Sequence, residues 1–313
     1  MSLNILKISS EVDEGFLICS NCNTEFPIIQ KIPIIMEDFV TYIGNRRSLG
    51  GRLHHLANTT MMKQFIRNSL SEIKKTHNDD YSLVEERWSE IYISNSDSSF
   101  YSALKNKLSD FPSYDNVLEF GSSVGTVSNF LRKRHRNVLC FDTSVTATLY
   151  AKKKSFENLD FFVSDILNHP FGKKKFDLIL ALNMLEIVEP TKILESISKQ
   201  IENGYIILTD PYDYTRGKNS VKSPLYSKDV RKKLRSIGFS ITKKTNQPSF
   251  INWTLKINPR TKLVYQVDLI VGKKWIIIQM QSPGFEPGSL TWQARIITKL
   301  YYDCSLIEIK IVY

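Results

Sequence analysis

The chain has 313 residues and a formal net charge of +10, enough for one large domain with a full core or for a medium domain with a small appendage. An apolar share of 42 % beside a charged share of 24 % is ordinary for a globular protein, and no apolar stretch reaches the roughly 18 residues that a membrane span needs. Four cysteines are too few for a disulfide scaffold. The segment from Met1 to Gly15 mixes Lys7, Glu11, Asp13 and Glu14 with apolar residues. It lacks the apolar centre of a signal peptide, so the expected location is the cytoplasm, with no membrane partner. The basic runs Lys152–Lys154, Lys173–Lys175 and Arg231–Arg235 lie apart without interleaved aromatics. They read first as solvated faces, with nucleic acid as the other reading.

In chain order, residues 1–39 read as a small β unit. Phe16–Cys19, Phe26–Ile29 and Ile32–Met36 are short apolar runs of strand length around a C-x-x-C turn at Cys19 and Cys22. A structural zinc site normally takes four ligands. Cys19 and Cys22 are the metal candidates, and His54 and His55 fit no ligand spacing with them, so a metal-free remnant is the preferred reading over bound zinc. Residues 40–115 read as helix and linker. Tyr81–Tyr92 and Phe100–Leu108 are predicted helices, and the polar run Ser94–Ser99 separates them. Trp88 and Tyr92 are candidates either for a cap over a ligand site or for plain core.

Residues 116–274 alternate in type. Strands are predicted at Asn116–Phe120, Val138–Phe141, Leu159–Val163, Phe176–Leu182 and Tyr205–Thr209, with helices at Thr126–Arg134, Val145–Phe156 and Thr191–Ile201. A helix at Ser227–Ile237 and two late strands, Phe239–Lys244 and Leu263–Val271, joined by a Pro-containing loop, complete the series. The rhythm implies an α/β fold, a Rossmann-like, doubly wound and mostly parallel sheet of seven strands closed by an antiparallel C-terminal strand, beside the small N-terminal β unit.

The chemistry concentrates at strand ends. Val117-Leu-Glu119-Phe-Gly121-Ser-Ser123-Val-Gly125 is an apolar strand that ends in an acid and turns through glycines into a helix. The dinucleotide fingerprint is G-x-G-x-x-G. Here Ser123 stands at the middle position and the third glycine is missing, and Glu119 suits a cationic ligand better than a pyrophosphate. Asp142 ends the second strand, roughly twenty residues on, where an acid can accept both hydroxyls of a ribose. Asp165 follows the third strand. Asn183 ends the fourth. Any one such residue is commonly a turn or cap residue, but successive strand ends converge on one crevice.

This set resembles the motifs of the class I S-adenosylmethionine-dependent methyltransferases, in which the first acid reaches the methionine end of the cofactor. The resemblance implies a methyltransferase whose cofactor-binding residues are Glu119, Gly121, Ser123, Gly125, Asp142, Asp165 and Asn183. Between Gly121 and Lys274 the chain also resembles a narrower group, the mercaptohistidine N-methyltransferases. The carriers are Gly121-Ser-Ser-Val-Gly125, Asn183-Met-Leu-Glu186 with Pro190, Leu208-Thr-Asp-Pro-Tyr212-Asp213-Tyr214, and Pro248–Lys274 with Arg260 and Tyr265. Asp210 and Tyr214 depart from that group's Ser and Trp. This likeness implies N-methylation of a small molecule such as a histidine-derived thiol. At the N-terminus, Cys19, Cys22, Phe26-Pro27-Ile28 and Ile32-Pro33 resemble the zinc-ribbon-like unit that accompanies some methyltransferases.

An imidazole nitrogen already carries a lone pair, so a group that accepts the remaining ring proton or orients the ring suffices. Glu186, Asp210 and Asp213 are the candidates for that role, with Tyr212 and Tyr214 as an aromatic wall; Glu186, Tyr212 and Asp213 are taken as catalytic. The alternatives are an RNA or protein methyltransferase, or a degenerate cofactor-binding module without catalysis. Finally, Ser282-Pro-Gly-Phe285-Glu286-Pro-Gly resembles a reading frame run through a tRNA gene. Residues 275–313 are therefore expected to be a read-through extension, or else a genuine β segment carried by the alternation Leu306–Val312.

Overall fold

The structure, a computed structural model, describes residues 12–19, 22–73, 80–153, 156–215, 217 and 220–275, with the backbone of 307–310. The first strands, β1 (Gly15–Cys19), β2 (Glu25–Ile29) and β3 (Ile32–Ile35), form an antiparallel meander. Gln30 and Lys31 take φ of 53° and 64° between β2 and β3, the paired left-handed conformation that matches the twist of a two-residue hairpin. Helices α1 (Phe39–Gly44), α2 (Arg47–Leu56), α3 (Thr60–Ser71), α4 (Tyr81–Ser94) and α5 (Ser99–Ser109) follow. Asp38, Thr59 and Asp80 start α1, α3 and α4 by accepting the N–H groups of Thr41, Met62 and Ser82.

The alternating region gives β4 (Asn116–Phe120), α6 (Ser128–Leu131), β5 (Asn137–Asp142), α7 (Val145–Ala151), β6 (Leu159–Ser164), β7 (Leu178–Leu182), α8 (Pro190–Gln200), β8 (Gly204–Asp210), α9 (Ser227–Ser236) and β9 (Phe239–Ile241). A long hairpin, β10 (Phe250–Asn258) with β11 (Thr261–Lys274), comes next, and β12 (Ile307–Lys310) lies in the tail. The strand order is β10-β11-β8-β7-β4-β5-β6-β3-β2-β1-β12, and β9 pairs with β11. Strands β6, β5, β4, β7 and β8 are parallel, and β11 returns antiparallel beside β8. This is a Rossmann-like, mostly parallel arrangement. The chain moves outward from β4 through β5 to β6, then comes back to β7 on the other side of β4. That reversal is the switch point where such sheets hold ligands.

Alternate residues face opposite layers, as a pleated strand requires. Leu118, Phe120 and Ile206 pack with Ile193, Ile197 and Leu234 beneath α8 and α9. Val117, Cys140, Leu180 and Ile207 pack with Phe100, Leu104 and Trp253 beneath α5 and the hairpin.

Four features differ from the sequence reading. The N-terminal β unit belongs to the central sheet: β3 pairs in parallel with β6 through Ile34–Val163 and Ile35–Ser164. This covers an apolar edge that would otherwise present unpaired backbone groups. The Pro-containing loop before the last strand holds β10, which makes β11 the second arm of a hairpin. Between Thr126 and Arg134, α6 is one turn only. Phe130, Lys133 and Arg134 donate to carbonyls three residues back, the tight 3₁₀ pattern that does not extend into long helices. Helix α7 ends at Ala151, short of Phe156. In the tail, β12 pairs antiparallel with β1; residues 276–306 and 311–313, with Cys304 and the Ser282–Gly288 stretch, lie outside the described residues.

Candidate functional site

A cavity of about 620 Å³ opens at the switch point, over the carboxyl ends of β4, β5 and β7. The size suits a cofactor-sized ligand. Its floor is the loop from Gly121 to Val124. Gly121 has φ +65°, and a Cβ there would lie 2.3 Å from Met184 Sδ. Gly125 has φ +75°, and a Cβ there would press on Ala151 and Phe161 at 3.0 and 3.2 Å. Both positions therefore require glycine for conformation and for space. Ser123 is itself left-handed, at φ 48°, and its N–H donates to Asp142 Oδ2 at 2.9 Å. That bond offsets the cost of a non-glycine residue in this region.

Three of the strand-end residues converge on the cavity. Glu119 is buried, with 2 % exposure. Ser128 Oγ and Cys140 Sγ both donate to its Oε2, at 2.5 and 3.8 Å. Burial pushes the Glu119 carboxyl up to about 8 against those bonds, so near neutrality it keeps its proton. Asp142 accepts from Ser123 N–H and, through Oδ1, from Ser144 N–H at 2.8 Å. Burial raises its carboxyl above the ordinary range, and the two N–H bonds oppose that rise. A carboxylate has about four lone-pair sites, so both oxygens retain acceptor capacity. Asn183, at φ 55°, accepts from Thr209 Oγ1 at 3.0 Å, which turns its amide NH₂ away from Thr209. Glu186, 5 % exposed, lines the same space. Asp210 does not line it. Its carboxylate accepts from Leu185 N–H at 2.9 Å and Tyr212 N–H at 2.7 Å, and so fixes the Asn183–Glu186 loop from behind.

The opposite wall is aromatic. Trp88 and Tyr92 of α4, Phe100 and Tyr101 of α5, and Trp253 and Tyr265 of the hairpin line it. Tyr92 stacks on Trp253 at 6.1 Å and 9°, and Trp253 also meets Phe100 and Tyr265 at 5.1 and 5.8 Å. Trp88 and Tyr92 line the cavity and at the same time pack against the core cluster beneath it. The sequence reading missed Tyr101, Trp253 and Tyr265; Trp253 and Leu255 alternate with polar residues and carry the signal of a strand, which Pro248 and Pro259 obscured. It also missed Arg46 and Glu85, which line the cavity beside Asp142.

Several candidates lie elsewhere. Asp165 is exposed and does not line the cavity; its Oδ1 accepts from Leu167 and Asn168 N–H, which makes it the turn residue after β6. Tyr212 and Asp213 are also outside. The Tyr212 hydroxyl donates to Asp268 Oδ2 at 2.9 Å, and Arg231 grips the same carboxylate at 2.6 and 3.0 Å. Burial, with Asp268 beside it, pushes the Tyr212 phenol upward, so it is no base. The Tyr214 hydroxyl donates to Leu225 O. At the N-terminus Cys19 is buried, and Cys22 is exposed with its Sγ 3.1 Å from Thr24 Oγ1. Among the described residues no three His, Cys, Asp or Glu side chains gather as a metal site. His54 accepts from Arg67 instead. Among the described residues, no helix is long and apolar enough to cross a membrane.

Residues 118–208 match the family model described as a methyltransferase domain. That span carries Glu119, the glycine loop, Asp142, Asn183 and Glu186, so the part of the chain that matches a methyltransferase domain is the part that builds the cavity. No curated protein matches in sequence. Among solved structures, the chain is similar to a complex between the Haloferax volcanii Trm112 methyltransferase activator and a methyltransferase, at 15 % identity and a TM-score of 0.47, over 59 % of this chain and 93 % of that one. It is similar to the YcgJ protein of Bacillus subtilis at 13 % identity and a TM-score of 0.45, over 55 % and 97 % of the two chains. It is also similar to the N-methyltransferase NodS from Bradyrhizobium japonicum, in complex with S-adenosyl-L-homocysteine, at 16 % identity and a TM-score of 0.43, over 57 % and 90 %.

Proposed function

We propose that this enzyme N-methylates a small planar acceptor, with a histidine-derived thiol as the first candidate. One observation carries the reading: a single cavity has buried acids on one wall and a continuous aromatic wall on the other. The acids match the positive sulfonium and ammonium groups and the hydroxyls of S-adenosylmethionine. Flat rings suit a ring-shaped or cationic acceptor. The narrower family likeness supplies the thiol-histidine class.

In this reading Asp142 accepts the ribose hydroxyls, and Glu119, whose protein donors both address Oε2, offers its other oxygen to the ammonium. Gly121 lets the backbone pass close to the ligand. Asn183 presents its amide where β7 ends. When bound, S-adenosylmethionine supplies an electrophilic methyl carbon. The protein's part is to exclude water and to align a nitrogen lone pair in line with that carbon. Trp88, Tyr92, Trp253 and Tyr265 align the acceptor, and Glu186 accepts or orients its remaining ring proton. Tyr212 and Asp213 take no part. Arg231, Asp268 and Tyr212 instead tie α9 and β11 to the loop after β8.

The test is transfer of radiolabelled methyl to a panel of histidine-derived thiols, histidine and RNA. Saturable transfer to a thiol-histidine that Glu186→Gln lowers at unchanged cofactor affinity is the expected result. Transfer only to RNA, with affinity falling steeply as salt rises, would replace the small-molecule acceptor. Cofactor binding with no transfer to any acceptor would leave the binding module without catalysis.

A further inference from the structure

The loop that carries Asp142 is held from outside the sheet by the N-terminal helices. Asp142, Thr143 and Ser144 line the cavity in succession, and Asp142 Oδ1 accepts from Ser144 N–H at 2.8 Å. That bond fixes the carboxylate relative to its own loop only. Each of the two residues after Asp142 is then tied to a different helix. The buried Tyr42, on α1, donates its hydroxyl to Thr143 O at 2.6 Å. The Ser144 hydroxyl, which caps α7 by accepting from Ala147 N–H at 3.2 Å, also bonds the carboxylate of Glu85 on α4. Arg46, just past α1, joins the two holds. Its Nε and Nη2 both reach Glu85 Oε1, at 2.8 and 2.7 Å, and its guanidinium lies 4.3 Å from the Tyr42 ring centroid. The two helices are tied once more where Tyr81 N–H donates to Asn45 O at 2.9 Å. A partly buried ion pair adds little net stability; the use of this one is to keep Glu85 turned toward Ser144.

We propose that Tyr42 and Glu85 are positioning residues for the ribose-binding carboxylate: they hold Thr143 and Ser144, and through them Asp142, at the place where the cofactor's vicinal hydroxyls arrive. This rests on the reading of the cavity as the S-adenosylmethionine site. A carboxylate that accepts from a diol has to be held within about 0.5 Å, and the groups that lock such a contact are those bonded behind it. Asp142 is fixed to the glycine loop by Ser123 N–H and to its own turn by Ser144 N–H. Tyr42 and Glu85 supply the remaining hold, between that turn and the helices packed outside the sheet. Both act through Asp142 rather than by meeting the ligand. The helical segment before the sheet therefore builds the nucleoside end of the site, besides lending Trp88 and Tyr92 to its aromatic wall.

The experiment is calorimetric titration with S-adenosylhomocysteine of wild type, Tyr42→Phe, Glu85→Ala, Glu85→Gln and Asp142→Asn, and of Tyr42→Phe in the Asp142→Asn background. Thermal unfolding checks that each variant is folded. Tyr42→Phe removes one hydroxyl and keeps the ring beneath Arg46, so it serves if Glu85→Ala does not fold. We expect Tyr42→Phe to weaken binding roughly threefold to tenfold in the wild-type background. In the Asp142→Asn background the same change should cost less than about twofold, because residues that act through one another are not additive. Glu85→Gln keeps an oxygen for Ser144 and should recover most of the affinity that Glu85→Ala loses. Equal losses from Tyr42→Phe in both backgrounds, no loss from it in the wild-type background, or a folded Glu85→Gln as weak as Glu85→Ala would overturn the positioning role alone. A wild type that binds no S-adenosylhomocysteine, or whose affinity Asp142→Asn leaves unchanged, would overturn the reading of the cavity as well.

Discussion

Two clusters of buried charge in this molecule look alike by composition and differ in how completely they are satisfied. In the first, Arg231 and Asp268 have 3 % and 0 % side-chain exposure and meet in a bidentate pair. Tyr212 and Ser249 N–H add bonds to Asp268, and Arg231 also donates to the carbonyls of Ser227, Thr245 and Gln247. In the second, Glu119, Asp142, Glu85 and Ser122 face a cavity. There Ser122 Oγ lacks a partner among the described residues. A closed polar network fixes architecture, and an incompletely satisfied one that borders an open space is arranged for a ligand.

The comparison can be broken from either side. Removing one member of the closed cluster leaves a charge buried alone. Arg231→Met should therefore lower stability by ~3–5 kcal/mol, read by denaturant unfolding, with cofactor affinity of the folded fraction unchanged. An affinity loss of tenfold or more would place Arg231 in the site.

In the open cluster, protonation is the sharper probe. Because Glu119 holds its proton up to about pH 8 in the free protein, binding of a cationic cofactor should release it. Affinity should rise with pH by up to about tenfold per unit until about pH 8 and then level off. The same shift makes the ligand-free fold bind more protons than the unfolded chain between about 4.5 and about 8. Stability of the ligand-free protein should accordingly fall as pH rises through that window, with an opposing contribution where other carboxylates dominate. A pH-independent affinity, measured by calorimetry from pH 6 to 9, would remove Glu119 from the ligand contact.

A smaller effect is expected at Gly121. Gly121→Ala adds left-handed strain of ~1–2 kcal/mol and a collision with Met184. It should lower both melting temperature and affinity for S-adenosylhomocysteine; an unchanged affinity would mean the backbone makes no close approach there. The smallest effect belongs to Tyr212→Phe, which removes one hydroxyl from a carboxylate that keeps Arg231. About 1 kcal/mol of stability should be lost with turnover unchanged, whereas a large loss of turnover at full stability would return Tyr212 to catalysis.

How much of this was legible in the chain follows from where the information lies. Strand-end acids such as Glu119 and Asp142 are legible because an apolar run of strand length, its terminal residue and the next turn are contiguous. The same logic overreached at Asp165: a strand-end acid and a turn-forming acid look identical until the third dimension shows which way the carboxylate faces. The Tyr212–Asp213 loop failed for a similar reason, since its hydroxyl partner, Asp268, is fixed by sheet register and not by spacing. Glu85 gave no signal, for it reads as a polar position on an amphipathic helix, and its meaning comes from Arg46 on another element. The pairing of β3 with β6 likewise has no local mark, because either strand could be an edge. What the sequence carried was the centre of the sheet; what it hid was everything that depends on two distant segments meeting.

The central claim is that the open cluster holds S-adenosylmethionine. Calorimetric binding of that cofactor to wild type and to Asp142→Ala tests it most directly. The account predicts saturable one-to-one binding by wild type, weakened by roughly tenfold to a hundredfold in the variant, with thermal unfolding used to check that the variant is folded. No binding by wild type, or equal binding by a folded Asp142→Ala, would contradict it.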